Sequence, residues 1–437
     1  MKFTKFGKAL LMGALSVGVV LSVTSCVESY TVGFLYVTGT VTAQSPGSGI
    51  ISGFKIDHNT GKLTPINGMP IPSGGANPGR AALILGSRFL YVLNRGTNSS
   101  GTECTTADPC GNSNITQFAV GGNGILTPQE TFYTQGINPM RIFADASGAF
   151  LFVLDHDAPS NAACALALGS SAKTCGDITV FSINSSTGRL QLVVNAQVTA
   201  ANGTALTYFP VPANPIDFVL SSGYVFTLSG TPATGDTVFP YSEGTANGQL
   251  TVTQNSSESL NIAQATAIVS GSGYLYVLDN EPITANGTTS PSQILPFSVG
   301  TGGALEAQIG GIVPDDPTLS NPIYLLVESK GKFLYVANQG NNASTSNTQS
   351  GLAGYVIDPS SHTLSYIAGE PFGTGAGPQC MVEDPSNQFI YTANFNDSTV
   401  NGRVVDPNSG VLNNMRVANS YALSGPAAWC LVDGRTS

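Results

Sequence analysis

Phe34-Leu35-Tyr36-Val37 returns along the chain as Phe89-Leu90-Tyr91-Val92, Phe150-Leu151-Phe152-Val153, Tyr224-Val225-Phe226-Thr227, Tyr274-Leu275-Tyr276-Val277, Phe333-Leu334-Tyr335-Val336 and Phe389-Ile390-Tyr391-Thr392. Successive copies lie 55, 61, 74, 50, 59 and 56 residues apart. A repeat of this period marks one supersecondary unit stacked against its neighbours. Aromatic and β-branched residues favour strands, so each unit is a small sheet.

The sixth copy displays the whole unit. Asn321-Pro322 opens a strand to Val327, and Ser329-Lys330-Gly331-Lys332 turns the chain into Phe333–Ala337. A polar loop, a third strand over 354–358 and a fourth from Leu364 follow. The chain enters at a second strand, Phe34, and ends with an unmatched first strand, Gly425-Pro426 to Val432. The expected fold is therefore all-β: a seven-bladed β-propeller of four-stranded blades over residues 33–437. Its C-terminal strand completes the first blade, which leaves only short, protected edges.

The preceding residues read as an export signal. Lys2, Lys5 and Lys8 precede an apolar run from Ala9 to Val23, too short for a comfortable membrane span. Val23-Thr24-Ser25-Cys26 then resembles the lipobox of bacterial lipoproteins. The expectation is a signal peptide over 1–25 and a tether over 26–32 lipidated at Cys26. Val27 after that cysteine points to the outer membrane or cell surface. An acylated tether makes the membrane one partner.

Charged residues are only 10 % of the chain, and the net charge of −10 becomes −13 without the three leader lysines. A surface so acidic, with no basic stripe, excludes a nucleic-acid partner. Export permits disulfides. Cys104 and Cys110 share one loop, and Cys164 and Cys175 share the equivalent loop of the next repeat, so each pair is expected to close its own loop. Cys380 and Cys430 hold matching places in repeats that meet on ring closure. They either bridge or remain as small buried hydrophobes. Neither the spacing of these cysteines nor the acidic stretches suggests a metal site, and no motif calls for a cofactor.

Asn-Pro, a short strand, a glycine turn, Phe-Leu-Tyr-Val-Ala-Asn and a later Asp…Gly-x-Leu together resemble the YVTN-type, lactonase-like seven-bladed propellers. The clearest copies are Asn321 to Asn338 and Gly377 to Asn394. That family includes bacterial 6-phosphogluconolactonases, cycloisomerases of aromatic-acid breakdown and surface proteins of unassigned role. The resemblance implies arginine, histidine and glutamate around a central channel. This chain departs from it, since no inner strand carries histidine. His58 and His362 fall in turns on the opposite face and read as solvated residues.

His156, between Asp155 and Asp157, is placed on the long-loop face, where flanking carboxylates would favour its cation. Arg141 begins the inner strand of the same repeat, and Glu281 falls where the family carries glutamate. His156, Arg141 and Glu281 are the candidate catalytic set, with Arg80, Arg95, Asp155 and Asp217 as candidate ligand-binding residues. Sparse catalytic residues and Ser/Thr/Asn-rich loops favour a binding or scaffold module that presents its long-loop face to a protein, peptide or glycan. The alternative is hydrolysis of a small lactone or sugar lactone at the channel mouth.

Overall fold

The computed structural model describes residues 30–434 apart from 42–46, 85, 87, 100–103, 105–106, 201, 254–256, 286–287, 308–310 and 342–348. The leader, Cys26 and most of the tether lie outside the described residues. Seven antiparallel blades form a ring. Their inner strands are Ala427–Gly434 (blade 1), Pro78–Leu83 (blade 2), Ile137–Ala144 (blade 3), Pro215–Ser221 (blade 4), Ala265–Gly271 (blade 5), Pro322–Val327 (blade 6) and Pro378–Glu383 (blade 7). Each inner strand touches the next in this order, and the seventh touches the first. The C-terminal strand closes the ring by pairing with Thr31–Thr40, with Val37 opposite Cys430. Cys380 and Cys430 are disulfide-bonded, so the closure is also covalent. Cys104–Cys110 and Cys164–Cys175 are bonded as well.

The repeated phrase clamps each blade to the next. Its third residue is a buried aromatic, and in Tyr36, Tyr91, Tyr335 and Tyr391 the hydroxyl donates to a turn carbonyl of the neighbouring blade. Tyr36 bonds Gly124 at 2.8 Å, Tyr335 bonds Gly410 at 2.7 Å and Tyr391 bonds Gly61 at 2.6 Å. The phrase's first residue covers the same glycine. A Cβ on Gly410 would lie 2.5 Å from the Phe333 ring, and Gly410 also needs its φ of 74°. Only glycine meets both demands without strain. In blade 6 the turn position is held by His362, at φ 57°. Its ring packs 4.3 Å from Tyr274 of blade 5, and His58 stacks 4.5 Å from Tyr30. Both histidines thus pack against tyrosine rings rather than standing free in solvent.

The outer edges differ in detail from four unbroken strands. In blades 1, 3, 4, 5 and 7 the third strand carries two short outer segments instead of one. In blade 1 these are Leu63–Pro65 and Ile71–Ala76, along Ser48–Asp57. Interrupted outer strands offer little template for another chain. The second-to-third connection is a long loop in blades 2, 3 and 6 but a tight turn in blade 4, where Thr231 pairs Gly235. The blade 3 loop holds one short helix, Asn161–Leu168.

Candidate active site in the central channel

Asn-Pro positions the functional side chains. Asn77, Asn138, Asn214 and Asn321 all take positive φ, and the proline that follows starts the inner strand in blades 2, 4 and 6 and is its third residue in blade 3. A register shift comes directly after the proline in blades 2, 3, 4 and 6. Bulges of this kind re-aim side chains. The residues two positions beyond the prolines are Arg80, Arg141, Asp217 and Tyr324. One offset in the repeat therefore supplies four polar groups from four blades.

These groups meet across the channel. Arg80 forms a two-pronged pair with Asp217, at 2.9 and 2.8 Å, joining blade 2 to blade 4. Arg141 of blade 3 places Nε 3.3 Å from the same carboxylate. The Asp217 side chain has no exposure, whereas those of Arg80 and Arg141 keep 11 % and 24 %. Arg80 also lies over the Trp429 ring, 4.6 Å from its centre, and Tyr324 meets that ring edge-on at 5.1 Å. Fork geometry and stacking hold Arg80 in one orientation. Arg141 is held less tightly. Its Nη1 donates to the Met140 carbonyl at 3.1 Å.

Above this cluster opens a cavity of about 740 Å³, lined by Arg80, Arg95, Arg141, Trp429 and Phe395 among others. No aspartate, glutamate or histidine is among the described lining residues. Burial pushes the Arg141 pKa down to about 10, and the charges of Arg80 and Arg95 push the same way against the pull of Asp217. Arg141 nevertheless stays a cation at neutral pH. Burial likewise raises the Tyr324 phenol, keeping it a neutral donor. The cavity is thus a cationic, aromatic-walled chamber in an acidic protein. It can hold an anion or stabilise a developing oxyanion.

Residues 47–207 and 302–428, more than half of the chain, match the family described as "Lactonase, 7-bladed beta-propeller". The chain belongs to this lactonase family. No protein of curated function matches it in sequence. Among solved structures, a proposed 6-phosphogluconolactonase from Bacteroides uniformis superposes with a TM-score of 0.63 at 15 % identity, over 92 % of this chain and 100 % of that one. The periplasmic gluconolactonase PpgL of Pseudomonas aeruginosa gives 0.62 at 17 % identity, over 92 % and 98 %. At these identities the likeness is one of fold.

Within this lactonase-family propeller, the seven residues singled out from the sequence divide into two groups. Arg80, Arg95 and Arg141 line the cavity, and Asp217 anchors two of them from beneath. His156, Glu281 and Asp155 are not among its lining residues. His156 turns Nδ1 to Asp157, 3.0 Å away. Glu281 sits near Asp279 and Asp236, whose pKa values are raised by burial first and by its charge in addition. Neither imidazole nor glutamate is therefore brought to the arginine cluster. Trp429 and Phe395 line the cavity but were not singled out as site residues, and Tyr324, not itself a lining residue, meets the Trp429 ring edge-on. Tyr324 shares the proline offset of Arg80, Arg141 and Asp217, and that column was the available signal.

Asp155 belongs to a separate arrangement. It faces Asp177 across the second and third strands of blade 3, and both are fully buried. The same register in blade 2 pairs Asn94 with Asn114, where an amide donates at 2.9 Å. Two carboxylates cannot make that bond without a proton. Only the Thr179 hydroxyl bridges them, 3.3 Å from Asp155 and 3.4 Å from Asp177. Gly136 seals the pair: a Cβ there would lie 2.0 Å from an Asp177 oxygen. Burial, reinforced for Asp177 by the charge of Asp155, raises both carboxyls above their ordinary range. A raised folded-state pKa means that the native state binds more protons than the unfolded chain. The stabilisation is complete below the unfolded value of about 4 and is lost as pH rises through the folded values. Unfolding free energy should therefore fall as pH rises from about 4 toward neutrality, and Asp177→Asn should flatten this slope in urea titrations. An unchanged slope in the variant would refute the shared-proton reading.

Proposed function

We propose that the protein hydrolyses a small lactone in the arginine cavity, with Arg141 as the group that receives the developing oxyanion. The observation carrying this reading is the convergence of Arg80, Arg141 and Asp217 from three blades beneath a single chamber. Family membership supports it independently. Hydroxide adds to the ring carbonyl carbon. The carbonyl electrons move to oxygen, where the Arg141 guanidinium stabilises them. Collapse breaks the ring C–O bond, and the leaving alkoxide takes a proton from water to give the hydroxy acid. One well-placed oxyanion donor supplies about 2.7–4 kcal/mol of barrier reduction, a factor of about 100 to 1,000. Lactones are reactive enough esters for such electrostatic help to matter without a side-chain base.

This mechanism has a kinetic signature. With no imidazole or carboxylate among the described lining residues, the enzymatic rate should follow hydroxide. After subtraction of spontaneous opening, log kcat/KM on γ- and δ-lactones should climb with a slope of about one between pH 6 and 8.5. A plateau or a bell centred near imidazole's range would show a titrating base and contradict the assignment.

The reading extends to location. Three disulfides fit an oxidising compartment. With Cys26 lipidated, the chamber would work outside the cytoplasm on lactones met there. Full-length protein should fractionate with membranes and incorporate labelled palmitate, whereas Cys26→Ser should do neither. Equal labelling of both would remove the anchor.

A further inference from the structure

Phe395 is the one exposed phenylalanine among the described residues, at 44 %, and it lines the chamber. Core packing does not account for it. Nor is it a loose loop residue, because the turn that carries it is tied down. Phe395 N donates to the Gly377 carbonyl at 2.7 Å, and Asn396 N donates to the Ala376 carbonyl at 3.0 Å. Asp397 accepts from Ala376 N at 2.8 Å and from the Thr399 hydroxyl at 2.8 Å. These bonds fix the turn to the residues just before Pro378, where the inner strand of blade 7 begins. Arg141 belongs to blade 3, on the other side of the ring. Met140, Ile323, Pro426 and Trp429 continue the apolar wall. Acceptors for sugar hydroxyls are scarce by comparison. Arginine offers donors only, and no carboxylate is among the described lining residues. Thr266 gives its hydroxyl proton to the Pro322 carbonyl, and Asn77 commits Nδ2 to the Gly96 carbonyl at 2.7 Å. A hydroxyl buried without a partner weakens binding.

We propose that the chamber selects lactones bearing an apolar alkyl or aryl substituent over polyhydroxylated ones, with Phe395 as the specificity-determining residue. The inference rests on the lactone-hydrolysis reading for its chemistry and adds the substrate class. The ring carbonyl lies at Arg141, and the substituent runs across the chamber toward Phe395. A volume of about 740 Å³ falls within the roughly 300–1,000 Å³ of sites that enclose drug-sized ligands, so there is room for a tail beyond the lactone ring. Each methylene that the wall takes fully out of water tightens binding roughly fourfold. This gain comes from contact with carbon and does not depend on the charge of the arginines.

Soluble protein starting at Val27, which carries the whole ring, is tested in two ways. The first is hydrolysis of γ-butyrolactone, γ-hexalactone, γ-nonalactone and D-galactono-γ-lactone, which share one ring size. After subtraction of spontaneous opening, kcat/KM should rise at least tenfold from γ-butyrolactone to γ-nonalactone and exceed that for the galactonolactone by as much. The second is binding of cyclopentanone and 2-pentylcyclopentanone, which keep the ring carbonyl and the tail but have no ester bond to hydrolyse. Trp429 is the only tryptophan of the chain, so its fluorescence reports this binding without labelling. The pentyl ketone should saturate at concentrations at least tenfold below cyclopentanone. Phe395→Ala should reduce the tail dependence fivefold or more in both series, and Phe395→Leu should recover part of it. Circular dichroism establishes that each variant is folded. A rate series that ignores the tail, a preference for the galactonolactone, or a tail dependence unchanged in Phe395→Ala would refute the apolar selection and spare hydrolysis. Tail-dependent ketone binding without lactone turnover would do the reverse. Absence of both turnover and ketone binding would overturn the two together.

Discussion

Asp217→Asn is expected to destabilise the propeller by about 3–5 kcal/mol, the typical penalty for removing one partner of a buried ion pair. The substitution keeps the side chain's shape and removes only its charge. Arg80 then loses both carboxylate contacts, and Arg141 loses its only counter-ion among the described residues. The two cations remain in the channel with Arg95 nearby, and mutual repulsion spreads the inner strands of blades 2, 3 and 4. Urea unfolding with unchanged m-value measures the loss. Removing the charges together, as Arg80→Met and Arg141→Met with Asp217→Leu, should recover most of it, because the desolvation penalty disappears with the cluster. A single variant within about 0.5 kcal/mol of wild type would show that Asp217 is not the keystone of the cluster.

The second large effect concerns ring closure. Replacing Cys380 and Cys430 with alanine removes a cross-link spanning 50 residues. Chain-entropy arguments put its contribution at about 4 kcal/mol for a loop of this length. The bridge ties the inner strand of blade 7 to the strand completing blade 1, where Val37 faces Cys430. Without it, closure rests on hydrogen bonds and on side chains such as Tyr391, Val400 and Ala427 packed beside the former bridge. Trp429 is adjacent, so loosening there should also disturb the Arg80 stack. Calorimetry of the double variant should show a lower melting temperature, whereas variants of Cys104 and Cys110, which close a loop with a separation of only 6, should lose less. Equal losses would mean that closure is not the weak point of the ring.

Much of the fold was legible because the repeat carries its own reasons. Phe34 and Tyr36 are aromatic in their copies because they cover and bond a glycine turn one blade away. The C-terminal strand was placed by counting, since a chain that begins on a second strand must borrow a first. The broken outer strands were not legible. Segments of two or three residues, such as Glu258–Ser259, carry too little periodicity to register. The helix over Asn161–Leu168 was passed over, although its alanines favour helix.

The site was legible in part. Arg141 and Arg80 were found because they open inner strands, and Asp217 because it holds the same column. His156 drew attention through its flanking aspartates, yet strand alternation decides direction, and its imidazole pairs with Asp157 instead of entering the cavity. Glu281 was placed by likeness to a family motif, and it adjoins the Asp236–Asp279 acids. Only the spatial meeting of blades 1, 2 and 6 reveals the contact of Trp429 with Arg80 and Tyr324. Sequence spacing orders residues within a blade but does not say which face each other across a channel.

Lactone hydrolysis by the soluble form starting at Val27, measured for wild type beside Arg141→Gln and His156→Ala, tests the central claim most directly. The account predicts turnover by wild type, a fall of about 100-fold or more in Arg141→Gln with the fold intact, and little change in His156→Ala. Turnover that survives the loss of Arg141, or that collapses with His156, would contradict it.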